Sequence, residues 1–214
     1  MQLERIVFFS DAVFAIAITL LIIEVKVPHL EHTATSREFL NELLKLTPNF
    51  IGYFFSFFVI GAYWVGHHRI YGMIVDWDYG LVWRNIYFLS AIAFMPFTTA
   101  FFSEYVGELV PIALYSITFA VAGLLEIFQF RYAYGKGFVD AAIAGHDYSH
   151  FVWRLSVLPL TGIAAIAMAA LTRPIFAGMT FMLIPFAYRI IRAKFEKKAA
   201  VVESPLNAKE TDVT

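Results

Sequence analysis

The sequence predicts an all-α membrane protein with six spanning helices. Two observations carry that expectation. Hydrophobic residues fill 60% of the 214 positions and charged ones 15%, against about 25% charged in a soluble domain. Several apolar runs also reach the roughly 20 residues needed to cross about 30 Å of hydrocarbon. Phenylalanine occurs 23 times, as expected where faces must meet lipid or other helices without polar atoms. Cysteine is absent, which excludes disulfides and thiolate metal sites. The net charge of -1 says little about partners, and no nucleic-acid partner or cofactor is expected. Met1 to Arg5 is short and no A-x-A-like site follows, so the first apolar segment is expected to be retained.

The first span is read from about Ile6 to Val27. Pro28 ends it, because proline disfavours helical geometry in the residue before it. The second covers about Pro48 to His67, the third Leu81 to Phe102 and the fourth Leu109 to Phe130. The fifth covers about Phe151 to Leu171, and the sixth runs from Pro174 to Ile191. Pro96, Pro159 and Pro185 fall inside spans, where neighbouring helices and water re-satisfy the freed carbonyls. Between the first two spans, Arg37 to Lys45 interleaves Glu38 and Glu42 with Phe39, Leu40, Leu43 and Leu44. That pattern predicts a short amphipathic surface helix. Residues 1–192 are thus expected to form one transmembrane domain, and 193–214 a polar, disordered cytoplasmic tail.

Basic residues set the expected orientation. With both termini inside, the inner segments hold Arg5, Arg69, Arg84, Arg131, Lys136, Arg154 and the Arg189 to Lys198 cluster. The outer segments hold only Lys26, Arg37, Lys45 and Arg173. This bias predicts cytoplasmic N- and C-termini.

The first span carries the densest chemical information. Arg5, Ser10 and Asp11 stand at the head of a run from Ala12 to Ile23 that contains no charge. A carboxylate beside hydrocarbon is costly, so by default it marks a site or a structural lock. At 100° per residue, Ile16, Leu20 and Ile23 share one stripe, with Thr19 at its edge. Ser10 and Asp11 point away from that stripe, and periodicity alone does not say which face meets lipid, neighbour or pore. Arg5, Ser10 and Asp11 are best read as holding this helix to the next two. Candidate partners are His67, His68, Arg69, Trp83 and Asn85; direct handling of ions or protons is the competing role.

Arg5-x-x-x-Phe9-Ser10-Asp11, followed by Val13 to Leu20 and later by Glu24 and Pro28, resembles the first-helix signature of the transmembrane protein 175 family. These are potassium channels of endosomes and lysosomes, with bacterial relatives. The likeness extends more loosely through His68, Asn85 and Pro96. It implies the single-repeat bacterial form, a homotetramer in the inner membrane of a prokaryote, with a pore lined by four first helices. Carried onto this sequence, the pore positions are Ile16, Thr19 and Ile23, and Leu20 lies on the same stripe. The implied permeant ions are monovalent cations, potassium first, with sodium and protons as further candidates.

A ring of aliphatic side chains closes a pore because a hydrated cation does not cheaply shed its water there. Ile16 is the expected tightest ring. Thr19 has two open roles, as an ion ligand or as a hydroxyl bonded back to the carbonyl of Ala15. Glu24 either draws cations to the pore mouth or snorkels to water. No T-V-G-Y-G-type loop is present, so a carbonyl filter is not expected and selectivity should be modest.

Competing classes fit less well. Adjacent His67 and His68 do not face one another on a helix and lack a companion carboxylate at ligand spacing. A secondary transporter would show paired broken helices around a midplane polar site. An enzyme would need convergent catalytic groups. A channel is expected, with a proton-leak pathway or a cation transporter as the alternative.

Overall fold

In the computed structural model, residues 3–172, 177, 180–191 and 193 are described. The chain is all-helical, in the order α1 (Leu3–Ile23), α2 (Ser36–Lys45), α3 (Thr47–Met73), α4 (Tyr79–Glu104), α5 (Leu109–Gly135) and α6 (Ala141–Leu171). A short 3-10 turn follows at Phe181–Leu183. Five helices among the described residues are long and apolar enough to cross a membrane: α1, α3, α4, α5 and the Phe151–Leu171 part of α6. The expected sixth span, Pro174 to Ile191, falls partly outside the described residues, as does nearly all of the 193–214 tail.

Boundaries moved for identifiable reasons. The first helix stops at Ile23, short of the expected Val27. Lys26 turns its Nζ back onto the Ile23 carbonyl at 3.1 Å, supplying a donor that a continuing helix would otherwise provide. The third helix runs six residues past His67 to Met73. Its end is fixed by the segment after α5. Val75 N donates to Phe138 O at 2.8 Å, and Asp140 N to Met73 O at 2.9 Å, around an antiparallel bridge of Ile74 with Val139. The amphipathic segment is helical as expected. Thr35 and Glu38 form a reciprocal capping box at its start, satisfying two otherwise orphaned backbone donors.

α1 packs against α3 and α4, while α5 is sandwiched between α4 and α6. Small residues allow the closest approach. A Cβ at Gly123 would meet Pro159 Cδ at 2.5 Å, and one at Gly162 would meet the Ser116 carbonyl at 2.8 Å. Close backbone approach is how helices associate in lipid, where the hydrophobic effect no longer drives packing. The larger core cluster joins Phe14 and Leu21 of α1 to Ile60, Tyr63, Phe88 and Phe119. Tyr63 and Tyr71 are buried. The Tyr63 hydroxyl reaches inward to the Phe119 carbonyl at 2.6 Å. Thr99, Ser56 and Tyr115 add a hydroxyl chain across α4, α3 and α5, with both steps 2.9 Å.

Candidate pore helix and its polar lock

Two distinct faces define α1. Ile6, Ser10, Phe14, Ala17 and Leu21 are buried, at spacings of three and four that form one stripe. On a second face, about 110° round the helix, Ile16, Leu20 and Ile23 stand exposed, Ile16 at 58% and Ile23 at 59%. Thr19 and Glu24 are exposed beside them. Ile16 and Ile23 are about 10 Å apart along the axis at 1.5 Å per residue. An uncharged aliphatic strip some two turns long therefore lies on the surface of the subunit, on a helix held firmly from behind.

Thr19 Oγ lies 2.9 Å from the Ala15 carbonyl and 3.0 Å from that of Ile16. The hydroxyl carries one hydrogen, and it is spent on these carbonyls. The oxygen lone pairs remain available on the exposed side. The backbone-bonded role and the acceptor role are thus compatible.

The polar residues behind the strip sort into two separate arrangements. Ser10 is fully buried and donates to the Ile6 carbonyl at 2.8 Å. Its oxygen accepts from Asn85 Nδ2 at 2.9 Å, and Asn85 Oδ1 lies 2.9 Å from His67 Nε2. Because Asn85 uses its amide on Ser10, its carbonyl oxygen must accept, which places the His67 hydrogen on Nε2. One directed chain thus links α3, α4 and α1. Burial inside the helix packing makes each of these bonds costly to lose.

Asp11 is tied elsewhere. Its Oδ1 accepts from Trp64 Nε1 at 2.8 Å, and the Trp64 ring stacks on His68 with centroids 5.6 Å apart. Trp64 was not among the expected partners of Asp11. His68 is exposed and touches Asp11's partner, while His67 enters the buried chain. Arg5 and Phe9 are both exposed, lining a cleft with Ile6, Val82, Asn85 and Ile86. Among the described residues, Arg5 forms no ion pair with Asp11.

Two further residues escaped the sequence reading. Trp64 is one. The other is Glu126, a carboxylate on α5 that is only 1% exposed. A signal for Glu126 was present, since it is an acid inside the apolar run from Leu109 to Phe130.

Residues 5–96 match the family model of the endosomal/lysosomal potassium channel TMEM175. That segment contains α1, the whole lock and α4 as far as Pro96. Over that segment the chain is similar to the TMEM175 family. A potassium channel of Chamaesiphon minutus is 42% identical over 101 residues, covering 47% of this chain and 49% of that one. The chain's match spans about half the length of the curated bacterial relatives. The Bos taurus endosomal/lysosomal proton channel TMEM175 is 26% identical over 209 residues, covering 88% of this chain and 43% of that protein. The crystal structure of a lysosomal potassium-selective channel TMEM175 homologue from Chamaesiphon minutus superposes with a TM-score of 0.74 at 27% identity. The superposition covers 88% of this chain and 97% of the other. These relatives are named as ion channels, not enzymes.

Proposed function

We propose that this chain is the subunit of a homotetrameric, potassium-permeable cation channel whose pore is lined by four copies of α1. The observation that carries this reading is the exposed strip of Ile16, Thr19, Leu20 and Ile23, on a different face from the buried stripe of the same helix. Four such strips around an axis enclose a passage without charge. Aliphatic rings there dewet and oppose an ion until they separate. Ile16 is the main constriction, Thr19 offers outward acceptor oxygens, and Glu24 concentrates cations at the mouth. Arg5, Phe9, Ser10, Asp11, His68 and Asn85 act behind the pore wall and hold its angle. The bias of basic residues supports cytoplasmic termini, in the inner membrane of a prokaryote.

Purified protein in liposomes under potassium, sodium and proton gradients tests the proposal. Conductive potassium flux that collapses a diffusion potential is expected, and electrically silent, saturable exchange would refute the channel. A proton pathway is the second reading, favoured by the relatives named as proton channels. Acidification of the lumen at a potassium-independent rate would favour it. Ile16→Asn should raise resting conductance, because a polar ring no longer expels water. An unchanged conductance would move the constriction to Leu20 or Ile23.

A further inference from the structure

A cavity of about 270 Å³ lies between α3, α5 and α6, away from the α1 strip. Its walls are mostly apolar, from residues such as Val65, Phe151 and Leu158, but four polar side chains converge on it: Arg69, Glu126, Arg154 and Tyr188. Glu126 is buried, yet its Oε1 has no hydrogen-bond partner among the described residues. The space for that carboxylate depends on Gly66, where a Cβ would collide with Glu126 Oε1. A buried acceptor without a donor is costly, and here it faces a cavity large enough for several small groups. On the liquid share of about 30 Å³ per water, the cavity holds the equivalent of about nine waters.

The depth is informative. Arg69 lies one turn from the α3 end, at Met73, and Glu126 lies nine residues before the α5 end, at Gly135. Both helices end on the same membrane face, where α6 begins. Arg69 and Arg154 line the same cavity, and two guanidinium groups match a phosphate, which they bind through fixed forks of donors. Basic pockets between spans at a membrane face are suited to lipid headgroups. Glu126 adds a demand that a simple phosphate does not meet, namely a hydrogen-bond donor, which an ammonium on the same small ligand supplies together with a compensating charge.

We propose that this cavity binds the headgroup of an amine-bearing phospholipid. The phosphate sits between Arg69 and Arg154, the primary ammonium donates to Glu126 Oε1, and the acyl chains leave along the apolar wall past Val65 and Leu158. The proposal is independent of which ion the protein conducts.

Native mass spectrometry of the full chain in detergent tests it with three lipids of identical acyl chains: phosphatidylethanolamine, phosphatidylcholine and phosphatidylglycerol. Wild-type protein is expected to prefer phosphatidylethanolamine by about tenfold, the ratio expected for one charge-assisted hydrogen bond. Phosphatidylcholine keeps the positive charge but has no N–H to donate. Glu126→Gln should erase the preference over phosphatidylglycerol, whereas Arg69→Gln should weaken both lipids. Equal retention of all three by the wild type overturns the proposal without any variant being needed. So does a preference that survives Glu126→Gln. Retention of soluble phosphoethanolamine as tightly as the lipid would reassign the cavity to a free phosphate.

Discussion

At the scale of single residues, Ser10 and Asp11 are neighbours in sequence but answer to different helices. Ser10 belongs to the buried chain through Asn85 and His67, while Asp11 belongs to the half-open contact with Trp64. Their 100° separation on α1 makes this division unavoidable. It also makes the two contributions separable by experiment. A double-mutant cycle of Asp11→Ala and Trp64→Phe, read as thermal stability of the purified protein, should show a coupling of about 0.6 kcal/mol, with about 1.7 as the upper bound for such bonds in membranes. Strict additivity would mean that the 2.8 Å contact contributes nothing. The shared stripe of Ile16, Leu20 and Ile23 was legible from spacing alone, because helical arithmetic needs only their identities; its exposure was not, since periodicity does not say what covers a face. Trp64 was not legible as Asp11's partner, since 53 positions separate them and no local rule brings those two side chains together. Its amphipathic ring suits an interface equally well, which is where composition alone places it.

At the scale of elements, the least foreseeable feature is the junction where α3, α4 and α5 meet the connecting segments. Asp78 caps α4 through Leu81 N at 2.8 Å and accepts from the Tyr132 hydroxyl at 2.7 Å. Lys136 lies 4.0 Å from the same carboxylate, and the Arg84 guanidinium sits 3.5 Å over the Tyr132 ring. In the sequence, Asp78 stands only as an acid between the second and third spans. Its pairing with Tyr132 depends on α5 extending to Gly135, five residues beyond the apolar run that defined it. The Tyr132 hydrogen bond holds the Asp78 carboxyl below its ordinary value of 3.8. A carboxyl with a lowered folded-state pKa stabilises the fold above that ordinary value and loses the contribution as pH falls through the lower one. Wild-type thermal stability in detergent should therefore fall more steeply below pH 3.8 than that of Asp78→Asn. Asparagine keeps the N-cap while removing the titrating charge. Equal slopes for the two proteins would show that the junction does not depend on the ionised form.

For the whole molecule, the decisive question is what covers the α1 strip. A single subunit leaves it bare, as it leaves bare Phe97 of α4 and Leu124 of α5. Exposure by itself does not distinguish a pore wall from a lipid-facing wall, since both are apolar. The difference lies in what stands opposite: another copy of the same strip, or acyl chains. The amino-acid sequence makes this directly measurable, because it contains no cysteine. One introduced thiol is then the sole thiol of each subunit. In a tetramer with α1 at its axis, Ile16→Cys and Ile23→Cys should each cross-link subunits under oxidation in membranes and give a dimer band on non-reducing gels. Bridging requires Cα atoms within about 7 Å, so the stronger band identifies the narrower ring, expected at Ile16. Phe97→Cys and Leu124→Cys provide equally exposed controls and should remain monomeric. Cross-linking that is equal at strip and control positions, or stronger at the controls, would place the subunit contacts on another face and remove α1 from the pore.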